Sequence, residues 1–276
     1  MSFDQPLPNA LSPSRLQDFR ACPRRFQYAA IERIAQPATY AATKGRLVHA
    51  VFERLHRLDP AQRTIDAARD LLGPAEADVL TESVREDLGL DETSSERLRR
   101  EATAIIDVYF TMEDPRSVIH EGVELRVRVD LDGVPMLGIL DRLDREANGS
   151  LAIIDYKTGS LPNRRFDTQT FANTELYAAL CEASLGERPS TIRLLYVAQG
   201  KAIERTVTPV VIRARASAAR DAWRTIQRYH EDGTFPATPS LHTCRFCAFA
   251  ERCRQSGVPV PTRPGSAGEA VSTVEA

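Results

Sequence analysis

No apolar run in the 276-residue chain approaches the roughly 20 residues that a bilayer-spanning helix needs, and stretches such as 136–140 and 151–154 are far shorter. An integral membrane protein is therefore not expected. An excess of one charge is missing too. The chain has 36 Lys and Arg against 38 Asp and Glu, a net charge of −2, which excludes a protein that coats nucleic acid through a bulk positive field. Five cysteines in a chain expected in the cytoplasm do not predict a disulfide framework. There is no internal repeat, and no G-x4-G-K-[ST] phosphate loop that would equip the chain to unwind duplex by itself. The opening MSFDQPLPNA has an early Asp and two prolines where a secretory signal has a basic and then an apolar stretch, so the expected location is cytoplasmic.

What is present suits a soluble globular chain: 42% apolar and 27% charged residues, in a length that predicts one elaborated domain or a domain with a small appendage. Charge is unevenly spread. Residues 59–101 carry twelve acids against six arginines, whereas residues 1–35 hold five arginines against three acids and residues 240–265 four against one. A polyanion can be met locally by the two ends.

Ser12-Pro13 offers a capping hydroxyl and a first-turn proline ahead of Leu16, Phe19 and Phe26, predicting a helix from about residue 13 that carries Cys22. A second helix is predicted over 43–58, with Val48, Val51, Phe52 and Leu55 on its apolar face. Residues 60–111 read as further helices, broken at Gly73-Pro74 and near Gly89. From Ser117 the period becomes two: Val123, Leu125, Val127 and Val129 alternate with Glu124, Arg126, Arg128 and Asp130, and Asp132-Gly133 signals a hairpin returning through Met136–Leu140 to Asp141. After Asn148-Gly149 the continuous run 151–154 predicts a strand buried on both faces, in the middle of the sheet. A helix over about 166–183, strands near 191–198 and 202–208 and a long helix to about His230 follow. Residues 258–276 read as a disordered tail.

Asp155-Tyr156-Lys157 ends the buried strand, so Asp155 and Lys157 share one face and Tyr156 takes the other. Asp141 ends the neighbouring strand. Two carboxylates with carbonyl oxygen and water suit Mg²⁺ or Mn²⁺, and a lysine beside them can orient water or offset charge. Ordinary ion pairs at strand ends, such as Asp141 with Arg142 and Asp155 with Lys157, explain these residues equally well. His49, in Gly45-Arg46-Leu47-Val48-His49, lies beside the apolar stripe of its helix and can reach the sheet edge, though a lone helical histidine is more often structural.

Cys244-x2-Cys247-x5-Cys253 places three thiols within ten residues, one ligand short of a four-thiolate site, and Cys22 is the candidate fourth. Cys181, on an amphipathic helix, reads as a buried small hydrophobe. Spacing leaves zinc and an iron-sulfur cluster equally open.

Four stretches in order, LSPSRLQDFRACPRRFQY, GRLVH, GILDRLD and DYKTG, resemble the PD-(D/E)xK nucleases of the RecB-like exonuclease group. That group includes the nuclease domain of the AddB helicase subunit and the iron-sulfur exonucleases of CRISPR adaptation. The stretches span residues 11–159, and the cysteines extend the likeness to residue 253. It implies a restriction-endonuclease-like α/β fold: a central mixed sheet flanked by helices, with residues 1–257 as one nuclease domain, 60–111 as a helical insertion, and 240–257 plus Cys22 as a staple. It further implies His49, Asp141, Asp155 and the Tyr156 carbonyl as ligands of Mg²⁺ or Mn²⁺, Lys157 as catalytic lysine, and a 4Fe-4S cluster on Cys22, Cys244, Cys247 and Cys253, with zinc the alternative. Arg24 and Arg25 would then stand near the cluster for contacts to DNA. The group usually has a glutamine four residues before a tyrosine on the next helix. Here Tyr177 is preceded by Asn173, and Gln169 lies two turns upstream. The expected function is a metal-dependent DNA exonuclease acting on single-stranded ends in repair or recombination, with a helicase or repair-complex partner. The alternatives are a CRISPR-adaptation nuclease and a non-catalytic iron-sulfur or zinc DNA-binding module.

Overall fold

The computed structural model describes residues 5–162 and 170–261. In chain order its helices are α1 (Pro13–Ala21), α2 (Pro23–Phe26), α3 (Tyr40–Arg57), α4 (Ile65–Asp70), α5 (Leu72–Val79), α6 (Glu82–Leu88) and α7 (Glu92–Met112). Strands β1 (His120–Leu131), β2 (Val134–Arg145) and β3 (Leu151–Lys157) follow. Then come α8 (Ala172–Leu185), β4 (Thr191–Tyr196), β5 (Lys201–Thr206), α9 (Pro209–Glu231), α10 (Leu241–Cys244) and α11 (Ala250–Gln255).

The chain forms two compact units, the larger from residues 9–14 and 37–223. Its sheet has the order β1-β2-β3-β4-β5, with β3 in the middle. Only β3 and β4 run parallel, and α8 lies in the connection that reverses the chain between them. Asp132 and Gly133 turn the β1–β2 hairpin with φ of 55° and 85°, the left-handed pair that matches the twist of the flanking strands. One face of the sheet is covered by the helices of 40–112. Leu47, Val51, Phe52 and Leu55 of α3 pack with Leu98, Ile106 and Tyr109 of α7 and with Ala152, Ile154 and Tyr156 of β3. On α8, Leu176, Leu180 and Cys181 are buried.

The helices of 60–111 break where backbone chemistry demands it, with one shift from expectation. Gly73-Pro74 lies within the first turn of α5 instead of between helices, because a proline there gives up only an N–H that has no partner in the helix. Gly89, at φ 57°, ends α6, and Asp91 with Ser94 forms the capping box that starts α7. The first helix is also shorter than expected. It stops at Ala21, and Cys22 is extended (φ −166°, ψ 116°) before Pro23 starts α2, since a residue ahead of proline is driven out of the helical region.

The described part of the smaller unit is residues 5–8, 15–36 and 224–261. Its core is aromatic: Phe26 stands 5.7 Å from Phe19 and 5.9 Å from Phe235, and Tyr229 lies 5.7 Å from Phe235. The start expected for the helix at 166, and Gln169, fall outside the described residues, as does the proposed tail beyond residue 261. Val258 still donates its N–H to the Cys253 carbonyl at 2.9 Å. No helix among the described residues is long and apolar enough to cross a membrane.

Candidate active site

Strands β2 and β3 pair through Arg142↔Ile154 and then part. Beyond that point the Tyr156 N–H has no partner on the β2 backbone. It donates instead to Asp141 Oδ2 at 2.8 Å, a side chain substituting for the ladder. The splay frees the Tyr156 carbonyl, which lies 3.1 Å from His49 Nε2. Thr39 caps α3 through Ala42, and Gly45 lets the helix approach the chain after β3, where an added Cβ would sit 2.9 Å from Thr158 Oγ1. His49, one turn beyond Gly45, thus reaches the strand end, its Nδ1 3.4 Å from Asp141 Oδ1.

Asp155 and Lys157 project together, Nζ 2.6 Å from Oδ2. Burial raises the Asp155 pKa, Lys157 opposes and Asp141 adds, for a net rise. Burial would depress Lys157, but Asp155 and Asp141 outweigh it and its pKa rises. Burial likewise disfavours a charged His49, yet the Asp141 contact and the fields of Asp155 and Glu124 prevail and its pKa is raised. The site stores negative charge and draws protons in compensation.

Glu124 was missed as a site residue. Hairpin arithmetic could have found it: Leu131↔Val134 fixes a register in which 124 stands opposite 141. Ligand atoms of His49, Glu124 and Asp141 lie within 4.8 Å of one another; Asp155 is outside that triplet, held by Lys157. Facing carboxylates repel, and burial followed by Asp141 and Glu53 raises the Glu124 pKa. His49, Glu124 and Asp141, with Arg46 and Glu53, line an open groove of about 500 Å³. The donor set, imidazole nitrogen, carboxylate oxygens and a carbonyl oxygen, fits a hard divalent ion.

Tyr177 packs its ring over Gly138, where an added Cβ would lie 2.8 Å from the ring. Burial, followed by Asp155, Asp141 and Glu124, raises its pKa, so the phenol senses the acids without touching them. Arg142 does not pair with Asp141. It turns to the opposite face and binds Glu113 and Asp144.

In the smaller unit Cys22, Cys244, Cys247 and Cys253 line one cavity with Tyr28 and Phe249. Burial pushes the Cys22 thiol up, but amides of Thr238, Arg25 and Arg24 outweigh it and the pKa falls. Cys253 is raised by burial and then by the other three cysteines. Cys181 stands apart, buried and pushed up to about 12. Arg24 donates from Nε to the Phe235 carbonyl at 3.2 Å and Arg25 pairs with Asp18 at 2.8 Å, so both arginines brace the unit.

The family model of the PD-(D/E)XK nuclease superfamily matches residues 10–254. The chain belongs to that superfamily. As a PD-(D/E)XK protein it is a metal-dependent nuclease with nucleic acid as substrate, and its helix-flanked mixed sheet is the restriction-endonuclease-like fold. No curated protein matches this PD-(D/E)XK chain. A solved structure titled "Crystal structure of SSO0001" is 15% identical, with a TM-score of 0.42 over 90% of this chain and 86% of that one.

Proposed function

We propose that this PD-(D/E)XK protein is a DNA exonuclease acting on single-stranded ends during repair or recombination. The observation that carries the reading is the point where β3 parts from β2, with Asp141 inside β2 and not at its end, where His49, Asp141, Asp155, Lys157 and the Tyr156 carbonyl gather. His49, Asp141, Asp155 and that carbonyl hold Mg²⁺ or Mn²⁺, with Glu124 beside them. When bound, such an ion polarises a phosphoryl oxygen and lowers the pKa of a neighbouring water. Lys157, kept charged by Asp155, orients the attacking water and offsets charge on the phosphate. Hydrolysis then breaks the bond from phosphorus to the leaving sugar oxygen, which takes up a proton. Arg46 is the cation among the residues lining the groove and meets a neighbouring phosphate. Tyr177 stands at the back of the acids.

The four cysteines hold a 4Fe-4S cluster in this reading. All four line one cavity, and the depressed Cys22 pKa favours the thiolate that a cluster or a zinc ion needs. With no phosphate loop in the chain, a helicase or a repair complex supplies the single strand. End-labelled single-stranded DNA incubated with Mn²⁺ tests the reading: stepwise shortening by the wild type and none by Asp155→Ala is expected, and equal shortening by both would refute it.

A further inference from the structure

Arg142 is fully buried, one residue past Asp141 and facing the other way. Its guanidinium donates to Glu113 Oε1 and Oε2 at 2.6 and 3.1 Å and to Asp144 Oδ1 and Oδ2 at 2.7 and 2.8 Å. Its Nη1 also lies 2.9 Å from His56 Nε2, 3.2 Å from Tyr109 Oη and 2.6 Å from Tyr156 Oη. Stability alone is a poor account of this cluster. Removing a guanidinium from water is costly, and an apolar side chain of similar volume often serves a core as well or better. What the guanidinium adds is direction, because two carboxylates fix its fork and the fork fixes the Tyr156 phenol.

Tyr156 is thereby held at three points: its phenol by Arg142, its amide by Asp141 and its carbonyl by His49. The β2 backbone ladder does not steady this peptide, since it has already ended at Arg142↔Ile154. We infer that Arg142, aimed by Glu113 and Asp144, is a positioning residue that holds Tyr156 by its phenol and so keeps the Tyr156 carbonyl turned into the divalent-ion site. The inference rests on the metal-site reading above. It assigns the buried face of the sheet a part in metal binding, through a side chain that touches neither metal nor substrate.

The test uses the full chain without DNA. Tyr156→Phe keeps the carbonyl and the ring contacts with Phe52 and Tyr109, at 4.7 and 5.8 Å, and deletes only the hydroxyl. Calorimetry with Mn²⁺ should show the dissociation constant rising by about tenfold, as for other outer-shell partners of metal ligands. Amide exchange over residues 155–158 should quicken in the metal-free protein. Asp144→Asn, which loosens the fork without touching Tyr156, should shift both readouts the same way, and it carries the test if Tyr156→Phe does not fold. Wild-type Mn²⁺ affinity in the folded variants would overturn the inference. Asp155→Ala run alongside separates the two claims: if it alone weakens Mn²⁺ binding, only the positioning role fails; if it too binds normally, the metal site itself is wrong.

Discussion

Asp155 and Lys157 form an ion pair that a purely structural role would also produce, so the two roles must be separated by substitution. Lys157→Ala and Asp155→Ala should each abolish cleavage, by about a hundredfold or more, while circular dichroism and cluster content stay those of the wild type. Retained cleavage would remove both from the active site. At Gly138 the constraint is steric. Ala there would put a methyl 2.8 Å from the Tyr177 ring and Leu180 Cδ1, and overpacking of this kind costs about 1–3 kcal/mol. Urea denaturation of Gly138→Ala should show that loss, and an unchanged midpoint would mean that α8 moves aside freely. The motif residues were legible in the sequence because strand alternation fixes which side chains share a face, and Asp155, Tyr156 and Lys157 obeyed it. Glu124 was within reach of the same reasoning, since the Asp132-Gly133 turn sets it opposite Asp141. The true partners of Arg142 were hidden, because recognising them needs the identity of the helix covering that face, information that lies in tertiary pairing.

The elements around the site are joined by a buried polar seam between α3, α7 and β2. His56 of α3 shares a hydrogen bond of 2.7 Å with Tyr109 of α7. Burial, then the charges of Arg142, Arg63 and His120, lower its pKa to about 2. The unfolded chain, with an ordinary histidine near 6.5, therefore binds the proton that the folded protein refuses between pH 2 and 6.5. Stability from this group is fully present above about pH 6.5 and falls as pH drops, with a limiting slope of about 1.4 kcal/mol per pH unit. Asp144, raised mainly by burial, acts with the opposite sign in the acid range, so the comparison must be between variants. Thermal midpoints of wild type and His56→Gln from pH 7 to 5 should diverge in slope, with the variant flatter; parallel curves would show that His56 is protonated in the fold. The central place of β3 and the β1–β2 and β2–β3 hairpins were legible from period and turn residues, whereas the parallel pairing of β3 with β4 was not. The break at Cys22 followed a local rule about proline that the apolar spacing through Phe26 masked.

Across the whole molecule, residues more than two hundred apart in sequence meet in the smaller unit, where Cys22 lines the same cavity as Cys244, Cys247 and Cys253. Spacing could propose that meeting, but the separate compact unit of 5–8, 15–36 and 224–261 was not legible, because its aromatic core joins the two ends of the chain. A cluster there closes a long loop and should contribute to folding. Cys247→Ala should lower soluble yield, remove bound iron and reduce the thermal midpoint, whereas Cys181→Ala should keep the iron; a Cys247→Ala protein as stable as wild type would refute the staple. The central claim, that the point where β3 parts from β2 forms a metal-dependent nuclease site, is tested most directly by anaerobically purified protein and end-labelled single-stranded DNA, with Mn²⁺ or with chelator. Progressive shortening with Mn²⁺, abolished by chelator and by Asp155→Ala, is the predicted result. Binding of the strand without cleavage under any metal condition would contradict it.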